Sequence, residues 1–297
     1  MKRTVTMNRN RIEELLKANG IPFLPELPEK LAIYFRLLTE WNEKMDLVAA
    51  APEEELLDRH LADSLTVLKT DLLFRGAGNG LKPETETGED NAERDPERTA
   101  DADSDGLKYD PETEAERTPR VDPAACAGSL IDVGTGAGFP GMALALALPG
   151  MNVTLMDSQK KRLLFLEKVI AATGAENVTL VHSRAEDGAR RPELRERMDF
   201  AVARAVAPLS VLCEYLLPFV KPGGMALCWK GPALAEEAEA GRKAAFLLGG
   251  RILPAVSAPV ANRDWEHVIL PVGKISRTPK IYPRKAGTPK ANPLGEP

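Results

Sequence analysis

The 297-residue sequence predicts an α/β fold, a mostly parallel, Rossmann-like sheet covered by helices on both faces and preceded by a helical cap. Three observations predict it. From Ser129 onward short apolar runs alternate with amphipathic stretches. The segment "LIDVGTGAGFPGMALALALPG", Leu130 to Gly150, carries an aliphatic run through an acid into clustered glycines and out into an apolar helix. Asp157, 19 residues beyond Gly138, then closes the next apolar run.

The cap occupies residues 1–74. Leu31, Phe35, Leu38, Trp41 and Met45 recur every three or four positions, as do Leu57, Leu61, Leu65 and Leu68, giving one buried stripe per helix. Pro22, Pro25 and Pro28 separate the first helix from the second. Periodicity then stops. Residues 75–128 are acidic, rich in Thr, Gly and Pro, and nearly free of large apolar side chains, which predicts a disordered insertion.

The core spans residues 129–273. Strands are predicted at 129–133, 153–157, 178–182, 199–203, 224–229, about 250–256 and 266–272, with helices between the first five. In "QKKRLLFLEKVIAATG" the spacing of Leu163, Leu166 and Ile170 faces a sheet, and Gly174 supplies the stop. The last two strands lie too close for an intervening helix, so the seven-stranded sheet ends in a hairpin with its last strand antiparallel. Residues 274–297 form a basic, proline-rich tail, predicted to be extended.

Composition narrows the function. Between Lys82 and Asp122 there are 15 acids and 6 bases, so a local −9 hides a charge of +4 over the rest of a chain whose net charge is −5. A polyanionic partner is therefore compatible with the acidic total. Cys126, Cys213 and Cys228 are scattered and form no CxxC pair, which argues against a disulfide framework or a structural zinc and predicts a reducing, cytoplasmic setting with no metal. The basic N-terminus, in which Met7 is an alternative start, has no apolar signal core, and the apolar run after Gly141 is too short to span a bilayer. No membrane partner is expected.

In a doubly wound sheet, ligands bind outside the carboxyl ends of the strands, where the glycine loop lies. Gly134, Gly136 and Gly138 permit positive φ and close backbone approach, Pro140 suits the first turn of the next helix, and Asp132 is placed to hold the loop through its amides. Asp157 ends the second strand, where a carboxylate accepts the hydroxyls of an adenosine ribose. Gly136-Ala-Gly138-Phe-Pro-Gly141 also satisfies GxGxxG, the spacing of dinucleotide dehydrogenases. The terminal hairpin, the helices before the first strand and the absence of a YxxxK pair favour S-adenosyl-L-methionine.

The motifs "LLTEWNEKMDLVA", "RHLADSL", "IDVGTGAGFPG", "LMDSQKKRLLFLE", "VHSRAED", "VARAVAPL", "WKG" and "TPKIYPRKAGTPKANPL" together resemble the family of ribosomal RNA small subunit methyltransferase G, also called glucose-inhibited division protein B. The resemblance covers nearly everything outside residues 75–128, the insertion being its departure. It implies a class I S-adenosylmethionine-dependent methyltransferase that modifies the seven-position nitrogen of a guanine in 16S ribosomal RNA, within the 30S particle. It implies cofactor contacts from Gly134, Phe139, Ala185 and Glu186, to which Gly136 and Asp157 are added by the loop and strand-end reading above and Arg204 by its place at the reaction site. Arg204 and Arg184 are implied at the reaction site, and His60, Asp63 and Lys230 near the RNA.

The residues agree with that chemistry. No cysteine has the Pro-Cys context of pyrimidine-carbon methylation, and the fourth strand ends in "ARAVAPL" where amine methylation uses an Asn/Asp-Pro-Pro-aromatic loop. Guanine N7 has a free lone pair, so alignment and electrostatics suffice without a general base. Arg204 is expected to orient the base, with an interior ion pair to Asp132 or Asp199 as the structural alternative. Lys160, Lys161 and Arg162, with Lys274, Arg277, Lys280, Arg284, Lys285 and Lys290 of the tail, are expected on the RNA backbone. A monomer is expected. Methylation of another RNA, a protein or a small molecule is the alternative reaction, and noncatalytic nucleic-acid binding the alternative class.

Overall fold

The computed structural model describes residues 8–49, 51–75, 122–204, 206–265 and 267–296. Nearly all of the predicted insertion, residues 76–121, lies outside the described residues, as do residues 1–7. The cap begins with α1 (Arg9–Ala18), where the Asn8 side chain accepts the Arg11 amide at 3.1 Å. α2 (Leu27–Met45) starts on Pro28 and buries Leu31, Phe35 and Leu38, with Trp41 and Met45 packed at its edge. The second apolar stripe is buried as predicted, but on a broken helix: α3 (Glu53–Leu56), a π-helical turn (Leu57–Ala62), α4 (Asp63–Leu65), a 3₁₀ turn (Thr66–Lys69) and α5 (Leu72–Arg75).

The core follows as β1 (Gly128–Val133), α6 (Gly141–Ala147), β2 (Met151–Asp157), α7 (Lys160–Thr173), β3 (Val178–His182), α8 (Ala185–Gly188), β4 (Met198–Arg204), α9 (Leu209–Leu216), β5 (Val220–Lys230) and α10 (Leu234–Leu247). It ends with β6 (Gly250–Ile252), β7 (Val256–Ser257), β8 (Val268–Lys274) and α11 (Thr288–Ala291). Strand order is β3-β2-β1-β4-β5-β8-β6, with β8 antiparallel to both neighbours and β7 also paired to β8. Eight strands among the described residues replace the predicted seven, because the run at about 250–256 is split around Pro254, which has no ladder N–H to give. α7 ends at Gly174, φ +64°, where the sequence placed its stop.

Strand residues divide alternately between two cores. Leu130, Phe200, Val202, Leu227, Trp229 and Ile269 join one cluster with α6, α7 and the cap, while Ile131, Ala201, Ala203, Ala226, Cys228 and Leu270 join the other with α9 and α10. The cap is therefore continuous with one face of the sheet. It covers the apolar side of β4, β5 and β8, and two further bonds tie it to the segment after β7: Lys69 Nζ to the Pro259 carbonyl at 2.6 Å, and the Ala261 amide to Asn19 Oδ1 at 2.7 Å.

Candidate active site

The glycine loop is held from below by Asp132. Its Oδ2 accepts the Thr135 hydroxyl at 2.7 Å and the Gly141 amide at 2.8 Å. Burial pushes the Asp132 carboxyl up to about 6, opposed by those two hydrogen bonds. From the cap, the buried Tyr34 hydroxyl donates to the Ala137 carbonyl. Asp157 completes the loop: Oδ2 accepts the Gly136 amide at 2.9 Å and Oδ1 the Gln159 amide at 2.8 Å.

Above the loop lies a cavity of about 580 Å³, within the range of cofactor sites. Gly134, Asp157, Arg184, Ala185, Glu186 and Arg204 all line it. Gly134 has φ +77° and no side chain to fill the space, and Asp157 presents a carboxylate at the end of β2. These features fit S-adenosyl-L-methionine. Gly136 and Phe139 stand behind the cavity wall. Gly136 braces Asp157, and the Phe139 ring is buried under the cap, 5.2 Å from Tyr34 and 5.3 Å from His60. Glu186 also acts structurally, since its Oε1 accepts the Gly287 amide at 2.8 Å.

Arg204 ends β4 on the cap side, as alternation from Val202 requires. Its ion-pair partner is neither Asp132 nor Asp199 but Asp63 of the cap: Nη1 lies 2.8 Å from Asp63 Oδ2 and 2.6 Å from the Arg59 carbonyl. Nη2 contacts His60 Nδ1 at 3.0 Å. That contact requires an unprotonated Nδ1. Burial, reinforced by the Arg204 charge and opposed by Asp63, lowers His60 to about 4. Asp199 instead binds Lys221 and Ser129 at the opposite end of β4. Three guanidinium N–H groups of Arg204 are thus engaged. Nε–H and one Nη2–H have no partner among the described residues.

Arg204 also lines a second cavity of about 540 Å³, shared with His60, Asp63, Lys230, Glu237 and Trp265. Asp63 is its structural hub: Oδ1 pairs with His267 Nδ1 at 3.1 Å and its carbonyl accepts Trp229 Nε1–H at 3.0 Å. Lys230 is paired with Glu237 and nearly buried. Cys126, Cys213 and Cys228 are all buried, and burial pushes the Cys228 thiol up to about 12, so they supply no ready thiolate. Among the described residues no cluster of three or more His, Cys, Asp or Glu side chains is placed to hold a metal.

The tail corrects the expectation of an extended basic arm. It folds back against α8 and α9, where the Gly287 amide meets Glu186 and Arg284 meets Glu214, so that Gly287, Lys290 and Ala291 line the first cavity. Arg284 is pinned to the buried Glu214 at 2.7 Å, and Arg195 holds the Thr278 and Tyr282 carbonyls, each at 2.9 Å. Lys274 is likewise unavailable to RNA: fully buried, it donates to the Leu217 and Leu248 carbonyls and to Thr278, 3.4 Å from Glu196. Burial lowers its ammonium to about 8. Lys280, Lys285 and Lys290 are exposed, as are Lys160 and Lys161. Lys274→Ala is expected to cost about 3 kcal/mol by emptying a fully buried site and removing the cation that faces Glu196 and bonds the Leu217 and Leu248 carbonyls. Urea denaturation measures this, and unchanged stability together with weaker RNA binding would restore Lys274 to an RNA role.

Sequence reasoning missed Tyr34, Trp265, His267, Glu237 and the anchoring acids Glu196 and Glu214. Their signal was faint: Tyr34, His267, Glu196 and Glu214 are single polar or aromatic side chains whose partners Ala137, Asp63, Lys274 and Arg284 lie far along the chain.

The chain matches the family GidB, rRNA small subunit methyltransferase G, over residues 27–81 and 119–264. It is 38% identical over 265 residues to Ribosomal RNA small subunit methyltransferase G of Alkaliphilus oremlandii, covering 89% of this chain and 90% of that protein. With the protein of the same name from Clostridium beijerinckii it shares 38% identity over 275 residues, covering 93% and 94%.

Proposed function

Because the chain belongs to the ribosomal RNA small subunit methyltransferase G family, we propose that it transfers a methyl group from S-adenosyl-L-methionine to N7 of a guanine in 16S ribosomal RNA. The observation that carries this is the meeting of two cavities at Arg204, which gives a cofactor seat and an acceptor seat one shared wall. Gly134, Asp157 and Ala185 would hold the cofactor, Asp157 through the ribose hydroxyls. When bound, its sulfonium supplies an electrophilic methyl group.

The chain's own task is orientation. Arg204, fixed by three N–H groups, keeps two for the acceptor, where guanine O6 neighbours N7. N7 keeps its lone pair for attack. No residue needs to take a proton, which agrees with the placement of the candidate bases: His60 is committed to Arg204 and Asp132 lies beneath the loop. The cationic product would share its cavity with Asp63 and Glu237, each already paired with a cation, as well as with Arg204. Exposed Lys160, Lys161, Lys280 and Lys285 suit phosphate contact, and Arg184 stands exposed at the cofactor cavity.

The proposal extends to a monomer acting in the cytoplasm on the assembled 30S particle. Three buried free cysteines support a reducing compartment. Among the described residues no helix is long and apolar enough to cross a membrane. Labelled S-adenosylmethionine, offered with 30S particles, naked 16S RNA or unrelated protein, tests the proposal. Label is expected in RNA, at a site that borohydride and aniline then cleave, the signature of N7-methylguanine. Label without cleavage would move the reaction to another atom, and label in protein alone would refute it.

A further inference from the structure

Guanine differs from the other bases by presenting O6 beside N7 and, on the opposite edge, the N1–H and N2 amine donors. A pair of donors calls for a carboxylate. Two carboxylates line the second cavity, Asp63 and Glu237. Asp63 is engaged on both oxygens, by Arg204 and His267, and its side chain is 3% exposed. Glu237 is different: its side chain is 22% exposed, Oε2 accepts the Leu209 amide at 2.7 Å and the Lys230 ammonium, and Oε1 accepts from none of the described residues.

Placement agrees with this difference. Arg204 closes β4 and Lys230 closes the adjacent β5, with Glu237 on the first turn of α10 just beyond. Neighbouring strands lie about 4.8 Å apart. A base whose N7 faces the wall at Arg204 therefore directs its opposite edge toward the Lys230–Glu237 side. We propose that Glu237 is the specificity-determining residue for guanine, its Oε1 accepting from the N2 amine and N1–H of the acceptor base while Leu209 and Lys230 clamp Oε2. The inference rests on the guanine reaction proposed above.

Competition against methyl transfer to 30S particles tests it, with guanosine 5′-monophosphate and inosine 5′-monophosphate as probes, the latter lacking only the N2 amine. In the wild type the guanosine nucleotide is expected to inhibit about tenfold more strongly, the equivalent of one charge-assisted hydrogen bond. In Glu237→Gln the ratio is expected to fall below about twofold. Calorimetry with S-adenosylmethionine on the same sample verifies that the variant is folded, and the ratio is a quantity that a merely structural role for Glu237 would leave unchanged. Wild-type transfer with equal inhibition by both nucleotides, or with no inhibition by either, overturns the assignment even where the variant melts early. So does a wild-type ratio that survives in Glu237→Gln. Absence of any wild-type transfer would bring down the reaction and the assignment together.

Discussion

Replacing Arg204 with Ala is expected to reduce methyl transfer by about 100-fold or more, the effect of a mispositioned reacting group. Stability is affected as well: Asp63 is 3% exposed against 12% for Arg204, so truncation leaves a buried carboxylate whose remaining partner among the described residues is His267. Breaking such a pair costs about 3 kcal/mol. Stability and chemistry separate in Arg204→Met combined with Asp63→Asn, which removes both charges. This double variant is expected to recover most of the lost stability and none of the activity. Arg204→Lys keeps the charge but loses the planar fork that contacts Asp63, Arg59 and His60 at once, and is expected to stay well below wild type. Single-turnover labelling and urea denaturation measure the two quantities. Near-normal turnover in Arg204→Ala would remove the residue from the reaction.

Gly138→Ala is expected to cost on the order of 4 kcal/mol, combining backbone strain with overpacking. Gly138 has φ +101°, and an added Cβ would lie 2.6 Å from the Tyr34 hydroxyl oxygen, 2.7 Å from Met142 Cβ and 2.8 Å from Leu166 Cδ2. Those neighbours come from the cap, α6 and α7, so all three cannot yield together. The Ala137 carbonyl that Tyr34 holds is displaced with them, and cofactor binding is expected to fail along with stability. Gly136→Ala is the control. Its φ of +59° carries only a backbone penalty of about 1 kcal/mol, because nothing lies closer to the added Cβ than the Gly134 carbonyl at 4.0 Å. Denaturation midpoints and calorimetry compare the pair. Equal stability of the two variants would mean that the loop is not braced by the cap as described.

Most of the sheet was legible because the strands β1, β2, β4, β5 and β8 are largely buried apolar runs and connections carry punctuation such as Gly174 after α7. Asp132 was read as the support of the loop, and the Gly141 amide is one of its partners. What eluded sequence reasoning was pairing at long range. Arg204 and Asp63 are separated by 141 residues and Arg284 and Glu214 by 70, and no local pattern couples such positions. The tail shows the consequence most plainly. Its charges read as a phosphate-binding arm, yet Lys274 and Arg284 are neutralised by Glu196 and Glu214, acids that look like ordinary surface residues until the chain is folded. Pro254 divided a strand that its apolar content made look continuous.

The cap shares one hydrophobic interior with the sheet and cannot swing aside as a lid without baring part of that interior to water. Flexibility must then come from the substrate. A stacked guanine cannot enter a recess with fixed walls, so the nucleotide has to rotate out of its helix or loop first, and sites where the RNA is already unpaired are the cheapest to use.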